Sequence, residues 1–219
     1  MQELSLGNCP NLKSINVSDC ALKILSINKA DALEMLICSY NKLTLLDVSG
    51  CQSLKNLACE SNKLTLLDIR DCNTLVKLNC SRNQLMSIDV SIFPELKVLS
   101  CSSNLLSELD LSKNTKLTDL YCGYNLFTSL DVSHNIALEY FLCDFNQLAS
   151  LDLSKNNNLS FLYCIGNILT AEALNNIFVS LPVKSDESPG YIYCSNNPGY
   201  NNCDIGLLAG KGWIMKRSL

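Results

Sequence analysis

Cysteine is the residue type with the clearest chemical potential in this sequence. The 219 residues include 13 cysteines, and seven of them recur every 21 residues: Cys38, Cys59, Cys80, Cys101, Cys122, Cys143 and Cys164. Cysteines form disulfides when their Cβ atoms lie about 3.8 Å apart with converging bonds, and they bind metals when the ligands meet at one point. A strict period supplies neither arrangement. We therefore predict that these thiols pack as small apolar side chains, with no metal site and no cofactor.

Asparagine and aspartate keep the same period. An asparagine follows each of the seven cysteines by three residues, from Asn41 to Asn167, and an aspartate follows six of them by nine, from Asp47 to Asp152. We expect each asparagine to lie where a strand bends away, so that its amide satisfies backbone groups of neighbouring turns. We expect the aspartates to face outward, with serines such as Ser49 as partners. The alternative is a calcium ladder, which needs six to eight oxygen ligands for each ion.

A fixed 21-residue period is typical of a stacked repeat architecture. The turn that starts at Leu33 reads LEMLICSYNKLTLLDVSGCQS, and its first half fits the leucine-rich-repeat signature L-x-x-L-x-[L/C]-x-x-N-x-L. Strand alternation places Leu36 and Cys38 inward and Ile37 outward. The predicted fold is an α/β, mostly β, leucine-rich-repeat solenoid. It is a curved right-handed superhelix with a parallel concave sheet, short strands or turns on the other side, and one short helix near the C-terminus.

The repeat also predicts the domain organisation. Residues 1–170 form the solenoid, with seven full turns over 12–158 and partial turns on either side, and 171–219 form a capping region of helix, loop and final strand. Thr170 is expected to cap the helix, and Trp213 to pack on the last turn. The sequence begins inside a repeat and shows no signal peptide, so we expect further sequence upstream.

The alternation of L-x-x-L-x-C-x-x-N with L-x-x-L-D-V-S resembles bacterial leucine-rich-repeat surface proteins with 21-residue turns and a cysteine ladder. Internalin-like proteins and many Bacteroidetes surface proteins are similar, and the likeness extends to the closing Lys211-Gly212-Trp213 segment. The resemblance implies an extracellular or cell-surface, non-enzymatic module for adhesion or binding. It does not identify the ligand.

The outward positions of the cysteine half differ between turns. They are mostly small or polar in the early turns and become aromatic in the later ones, with Leu142 and Ile165 among them. Exposed apolar patches usually mark interaction sites, and tyrosine is favoured at interfaces. The candidate ligand-binding residues on the presumed concave face are Tyr121, Tyr124, Tyr140, Phe145, Phe161, Tyr163, Tyr191 and Tyr193, with Asp119 and Asp144 as acceptors. The alternative is that these rings cover their neighbours near the C-terminal cap, for example beneath the 184–190 loop. Either half of the turn could form the concave side, and the variability of the cysteine half favours that half.

Composition narrows the possible functions. The net charge is −4 with no basic stripe, which argues against nucleic acid, and no apolar stretch approaches the roughly 18 residues of a membrane span. His134 is the only histidine, and no nucleophile, base and oxyanion donors converge, so we predict no enzyme. The expected function is adhesion or binding to a host or bacterial surface protein on the concave face. The alternatives are a carbohydrate-binding module that uses the Tyr/Phe patch, and a passive structural spacer.

Overall fold

The computed structural model describes residues 2–7, 9–28, 30–185 and 187–216. Within these residues, a ten-stranded parallel sheet has the order β12-β11-β10-β9-β8-β7-β6-β5-β4-β2, and β1 pairs separately with β3. The strands are β1 (Glu3–Gly7), β2 (Ser14–Asn16), β3 (Ile24–Asn28), β4 (Met35–Ile37), β5 (Asn56–Ala58), β6 (Lys77–Asn79), β7 (Val98–Ser100), β8 (Asp119–Tyr121), β9 (Tyr140–Leu142), β10 (Phe161–Tyr163), β11 (Gly190–Tyr193) and β12 (Trp213–Lys216). The predicted fold class, a leucine-rich-repeat solenoid, is confirmed.

The sheet is built from the cysteine half of each turn. Strands β4 to β10 each end at the residue before a ladder cysteine, and their register joins residues 21 positions apart, as in Leu36↔Leu57. The aspartate half contributes the β1–β3 pair and isolated bridges from Ser26 to Asp47 and from Asp47 to Asp68. Parallel strands line the inner face of the leucine-rich-repeat horseshoe. The ten-stranded sheet is thus formed by the varied half of the turn, the half that the sequence favours for the concave side.

The inward positions form one continuous core. Leu33, Leu36, Cys38, Leu43 and Val48 are fully buried, and the same positions are buried in the following turns. Burial raises the pKa of the Cys38 thiol to about 12, so the ladder thiols remain neutral apolar groups at physiological pH. The predicted packing of the cysteine ladder is confirmed by this burial.

The asparagine ladder satisfies the backbone where each strand ends. Asn125 Nδ2 donates to the carbonyl oxygens of Cys101 and Cys122 at 3.0 and 3.1 Å, and its Oδ1 accepts from the Leu106 amide at 3.0 Å. The other ladder asparagines repeat this pattern, for example Asn83. Each amide thus joins two adjacent turns, as the sequence predicts.

Each aspartate of the outward column fixes its own turn. Asp152 accepts from the backbone amide of Ser154 at 2.9 Å, and Asp47 does the same with Ser49. In one turn an arginine replaces the serine: the Arg70 guanidinium donates to Asp68 and lowers the pKa of that carboxyl to about 2. These local hydrogen bonds support the predicted structural role of the column.

The C-terminal region closes the solenoid with a helix and two strands. Helix α1 (Ala171–Ser180) begins after Thr170, whose side chain accepts from the Ala173 amide at 3.2 Å, as predicted. Trp213 does pack on the β11 strand, but it opens a further strand, β12, which the sequence pattern did not predict. Its Nε1 donates to the Pro182 carbonyl at 2.6 Å. No helix in the described ranges is long and apolar enough to cross a membrane.

The predicted division at residue 170 stays a prediction. Its outer limits, 1 and 219, and residue 186 of the 184–190 loop lie outside the described residues.

Candidate ligand-binding face

The strand register brings the predicted aromatic residues together on the open face of the sheet. One outward column contains Asp119, Tyr140, Phe161 and Tyr191 on β8 to β11, and the other contains Tyr121, Leu142, Tyr163 and Tyr193. We call these eight residues the sheet patch. Neighbouring strands lie about 4.8 Å apart, so each ring lies within reach of the rings on adjacent turns.

Ring contacts connect the patch. Tyr140 and Phe161 have centroids 6.2 Å apart, Phe161 and Tyr193 5.4 Å, and Tyr163 and Tyr193 5.1 Å, all in tilted orientation. Such pairs contribute about 0.5–1.5 kcal/mol beyond area burial. The ammonium group of Lys216 lies over Tyr191, 5.5 Å from its centroid. Most of the patch is therefore an ordered cluster, in which the contacting rings restrict one another.

Tyr124 and Phe145 lie apart from the sheet patch, at the edge where the strands end. Their rings are stacked with centroids 4.5 Å apart and planes 25° apart, and we call this pair the edge stack. Both residues have left-handed backbones, with φ of 55° and 49°. In the next turn this position is Gly166, and a Cβ there would approach Phe145 Cδ1 to 2.7 Å. A bulky side chain with positive φ carries backbone strain.

The structure adds apolar residues that the sequence reasoning missed. Leu105, Leu126 and Ile168 follow the ladder asparagines by one and are 43–51% exposed. A signal for them was present, because the same position holds Lys42 and Lys63 in earlier turns. The sheet face of the early turns also holds an apolar groove lined by Met35, Ile37, Ala58 and Val98, among others.

The two predicted acidic residues differ in their surroundings. Asp119 is already engaged, because its Oδ1 accepts from Tyr121 Oη at 3.2 Å and its Oδ2 from Thr118 Oγ1 at 2.6 Å. Asp144 has only 9% of its surface exposed, and burial raises the pKa of its carboxyl. In the described part of the chain, no side chain donates a hydrogen bond to it and none of the ion pairs includes it.

The position after each cysteine does not face outward in the later turns. Strand alternation predicts an outward side chain there, but Ile165 is 1% exposed and Asp144 9%. The reason is the left-handed residue that follows, Phe145 or Gly166, which turns the chain away from the sheet. The side chain before it, Asp144 or Ile165, therefore lies between the residues that hold the same position in the turns before and after.

The alternative, that these rings cover their neighbours near the C-terminal cap, stays a prediction. Tyr124, Tyr140 and Phe145 keep 40–53% of their surface exposed. His134 is exposed, and its Nδ1 lies 3.3 Å from the hydroxyl of the adjacent Ser133. Among the described residues, no three histidine, cysteine, aspartate or glutamate side chains group as a metal site.

Comparison with known proteins places this geometry in context. No family profile and no curated protein matches the chain. Among solved structures, YopM from Yersinia enterocolitica WA-314 matches with a TM-score of 0.74 and 24% identity, over 99% of this chain and 48% of that one. The leucine-rich-repeat protein LIC12759 from Leptospira interrogans matches with a TM-score of 0.73 and 22% identity, over 94% and 54%.

A third solved structure shares the cysteine feature. It is the functional domain of InlJ from Listeria monocytogenes, described as including a cysteine ladder, with a TM-score of 0.67 and 25% identity over 99% of this chain and 53% of that one. The present chain thus spans about half the length of each of these three proteins. It is a leucine-rich-repeat solenoid with a 21-residue repeat and a cysteine ladder, similar in fold to InlJ and to other bacterial leucine-rich-repeat proteins.

Proposed function

We propose that this chain is a non-enzymatic protein-binding module of a bacterial surface or secreted protein, which serves adhesion by holding a host or bacterial protein on the concave sheet face. The observation that supports this most strongly is the concentration of ordered aromatic rings on the later turns, where Tyr140 remains 42% exposed. Large exposed apolar patches on soluble proteins are typical of interaction sites.

The rigidity of the patch favours tight binding. The parallel ladder holds the backbone of Phe161 and Tyr163, and contacts between rings restrict their side chains. Binding of a partner therefore loses less free energy to the ordering of these side chains. That ordering costs about 0.5–1.5 kcal/mol for each flexible side chain. Tyrosine is also common among the residues that dominate binding energy.

Carbohydrate binding is the second candidate, and the pairing of Asp119 with Tyr140 favours it. The two residues are in register on β8 and β9, so an exposed ring lies beside a carboxylate that already accepts from two hydroxyl groups. A sugar ring would stack on Tyr140 while its hydroxyls replaced those donors. We propose that nucleic acid is not the partner, because the chain has a net charge of −4.

The experiment compares three ligand classes with one pair of variants. Immobilised chain is used to capture a protein from host or bacterial surface extracts, and is applied in parallel to a glycan array and to a single-stranded RNA. The captured protein is purified, and its Kd is measured against wild type, Tyr121→Ala and Tyr163→Ala.

A protein whose affinity falls at least tenfold in both variants supports the proposal. A glycan signal that disappears in the same variants favours the carbohydrate candidate instead. RNA binding contradicts the proposal. Protein binding that both variants leave unchanged also contradicts it, and would favour a passive spacer.

A further inference from the structure

Asp144 is the one charged side chain among the described residues that is more than nine-tenths buried. Its carboxylate lies against Gly123 of the preceding turn, and the equivalent position of the following turn is the buried Ile165. Desolvation by these surroundings raises the pKa of the carboxyl. A buried carboxylate without a cation is costly, so a cation that reached it would relieve that cost.

A route to this carboxylate exists. A cleft of about 350 Å³ runs along the edge where the strands end, and Asp144 lies in its wall together with Tyr121, Tyr124, Ser100, Ser102 and Ser103. The Tyr121 hydroxyl donates to Asp119, so its lone pairs remain available as acceptors. The carboxylate, this oxygen and the serine hydroxyls form a set rich in acceptors at the end of the cleft next to the edge stack.

The surrounding rings favour the same ligand class. Tyr124 is stacked on Phe145 beside the cleft, and a tyrosine ring face attracts cations. The sheet patch contains one such contact, because the Lys216 ammonium lies over the Tyr191 ring. Arg82 and Glu60 line the cleft as well. Arg82 is two turns from Tyr124, about 10 Å at the usual strand spacing, and none of the ion pairs in the described ranges connects it to Asp144.

We propose that the Asp144 end of this cleft binds a cationic side chain, an arginine or lysine of the partner protein, between the carboxylate and the Tyr124 ring. This rests on the proposed function, because the cation is carried by the protein bound on the sheet patch. An anionic group would be repelled by the carboxylate, and a neutral group would leave the buried charge unpaired.

The probe is a peptide, Ac-Gly-Gly-Arg-Gly-Gly-NH₂, and its control is the same peptide with citrulline, a neutral isostere of arginine. Both are titrated into the ¹⁵N-labelled chain while amide chemical shifts are recorded. We expect saturable shifts at Gly123, Tyr124 and Asp144, with at least tenfold weaker binding of the citrulline peptide. Asp144→Asn keeps the side-chain shape and should weaken arginine binding at least tenfold. Asp152→Asn, on the aspartate half, is the matched control and should leave it unchanged.

Equal binding of the two peptides, or unchanged arginine binding in Asp144→Asn, overturns the cation site. The purified partner separates this failure from failure of the proposed function. A partner that depends on Tyr121 and Tyr163 but binds Asp144→Asn like wild type leaves the proposed function standing and removes the cation site. A partner that is insensitive to the patch variants removes the proposed function, whatever the peptides show.

Discussion

The carboxylate of Asp144 occupies the space that a side chain on Gly123 would need. A Cβ atom on residue 123 would come within 2.8 Å of Asp144 Cγ. The two residues hold the same position in successive turns, and earlier turns have Ser81 and Ser102 there. The absence of a side chain at Gly123 thus leaves room for the carboxylate against the preceding turn. This explains why Asp144 is buried although the equivalent residues of earlier turns are polar.

Gly123→Ala should destabilise the chain by about 1–3 kcal/mol, because the new methyl group overlaps the Asp144 side chain. The φ angle of Gly123 is not in the left-handed region, so alanine brings no backbone strain. The measurement is urea unfolding of both single variants and of Gly123→Ala with Asp144→Ala, which should recover part of the loss. Ser102→Ala is the control. A Gly123→Ala variant as stable as wild type contradicts this packing.

The chain has two asparagine columns, the ladder from Asn41 to Asn167 and a second column of Asn114, Asn135 and Asn156. The two columns should differ in their tolerance of cysteine. Asn125→Cys removes the partner of four backbone groups, so it should cost at least about 3 kcal/mol. Asn135 donates to two carbonyls, and its Oδ1 has no hydrogen-bond partner among the described residues. The chain itself places Cys72 at the equivalent position, where the thiol approaches the Val48 carbonyl.

Asn135→Cys should therefore cost clearly less than Asn125→Cys when the free energies of unfolding of the two variants are compared. Equal costs, or a larger cost at residue 135, would show that the second column is as essential as the first.

The cysteine ladder should make the fold sensitive to alkali. Ten cysteines are buried, and burial raises their pKa above the ordinary value of 9.0, to about 12 for Cys38 and Cys80. The unfolded chain loses thiol protons that the folded chain keeps. Stability is therefore fully present below about pH 8.5 and falls as pH rises towards 12, by up to about 1.4 kcal/mol per pH unit for each thiol.

We expect loss of the fold near pH 10, as monitored by circular dichroism. Below that pH, rapid thiol labelling should be confined to the three cysteines that are not buried, Cys9, Cys20 and Cys203. Cys101→Val removes one of the buried thiols, so the free energy of unfolding should fall less steeply with rising pH. A free energy of unfolding that stays constant from pH 8 to 10 would rule out this explanation.

Phe145→Gly should separate stability from binding. It removes a left-handed bulky residue, which costs about 1–3 kcal/mol, and loses a ring stack with Tyr124 of about 0.5–1.5 kcal/mol. These effects oppose each other, so the unfolding free energy should change by less than about 1 kcal/mol. Partner affinity should nevertheless fall. By contrast, Phe141→Ala in the core should cost about 3–5 kcal/mol. A large stability loss in Phe145→Gly would show that the edge stack is structural.

Repetition explains how much of this fold could be predicted. Cys38, Asn41 and Asp47 each recur turn after turn, so their inward, edge and outward roles follow from one period, and Thr170 marks the helix start by its capping chemistry. Strand β12 lacks the leucine spacing, and its place depends on long-range pairing with β11. No local pattern revealed it.

The position of the candidate residues could be predicted only in part. Strand alternation assigned Tyr140 and Tyr163 to the open face. The burial of Asp144 and Ile165 depends on the left-handed residue after each of them, which only Gly166 indicates in the sequence. The same left-handed backbone at Tyr124 and Phe145 separates the edge stack from the sheet patch.

The most direct test of the central claim, that the later-turn aromatic surface is the binding surface, compares two triple variants for their affinity to the purified partner. The first, Tyr124→Ser, Tyr140→Ser and Phe145→Ser, removes the most exposed predicted rings. The second, Leu45→Ser, Leu66→Ser and Met86→Ser, removes side chains of the aspartate half that are 58–70% exposed. The account predicts at least a tenfold higher Kd for the first variant and less than a twofold change for the second, with both folded by circular dichroism. Equal affinities for the two variants, or a loss confined to the second, would contradict it.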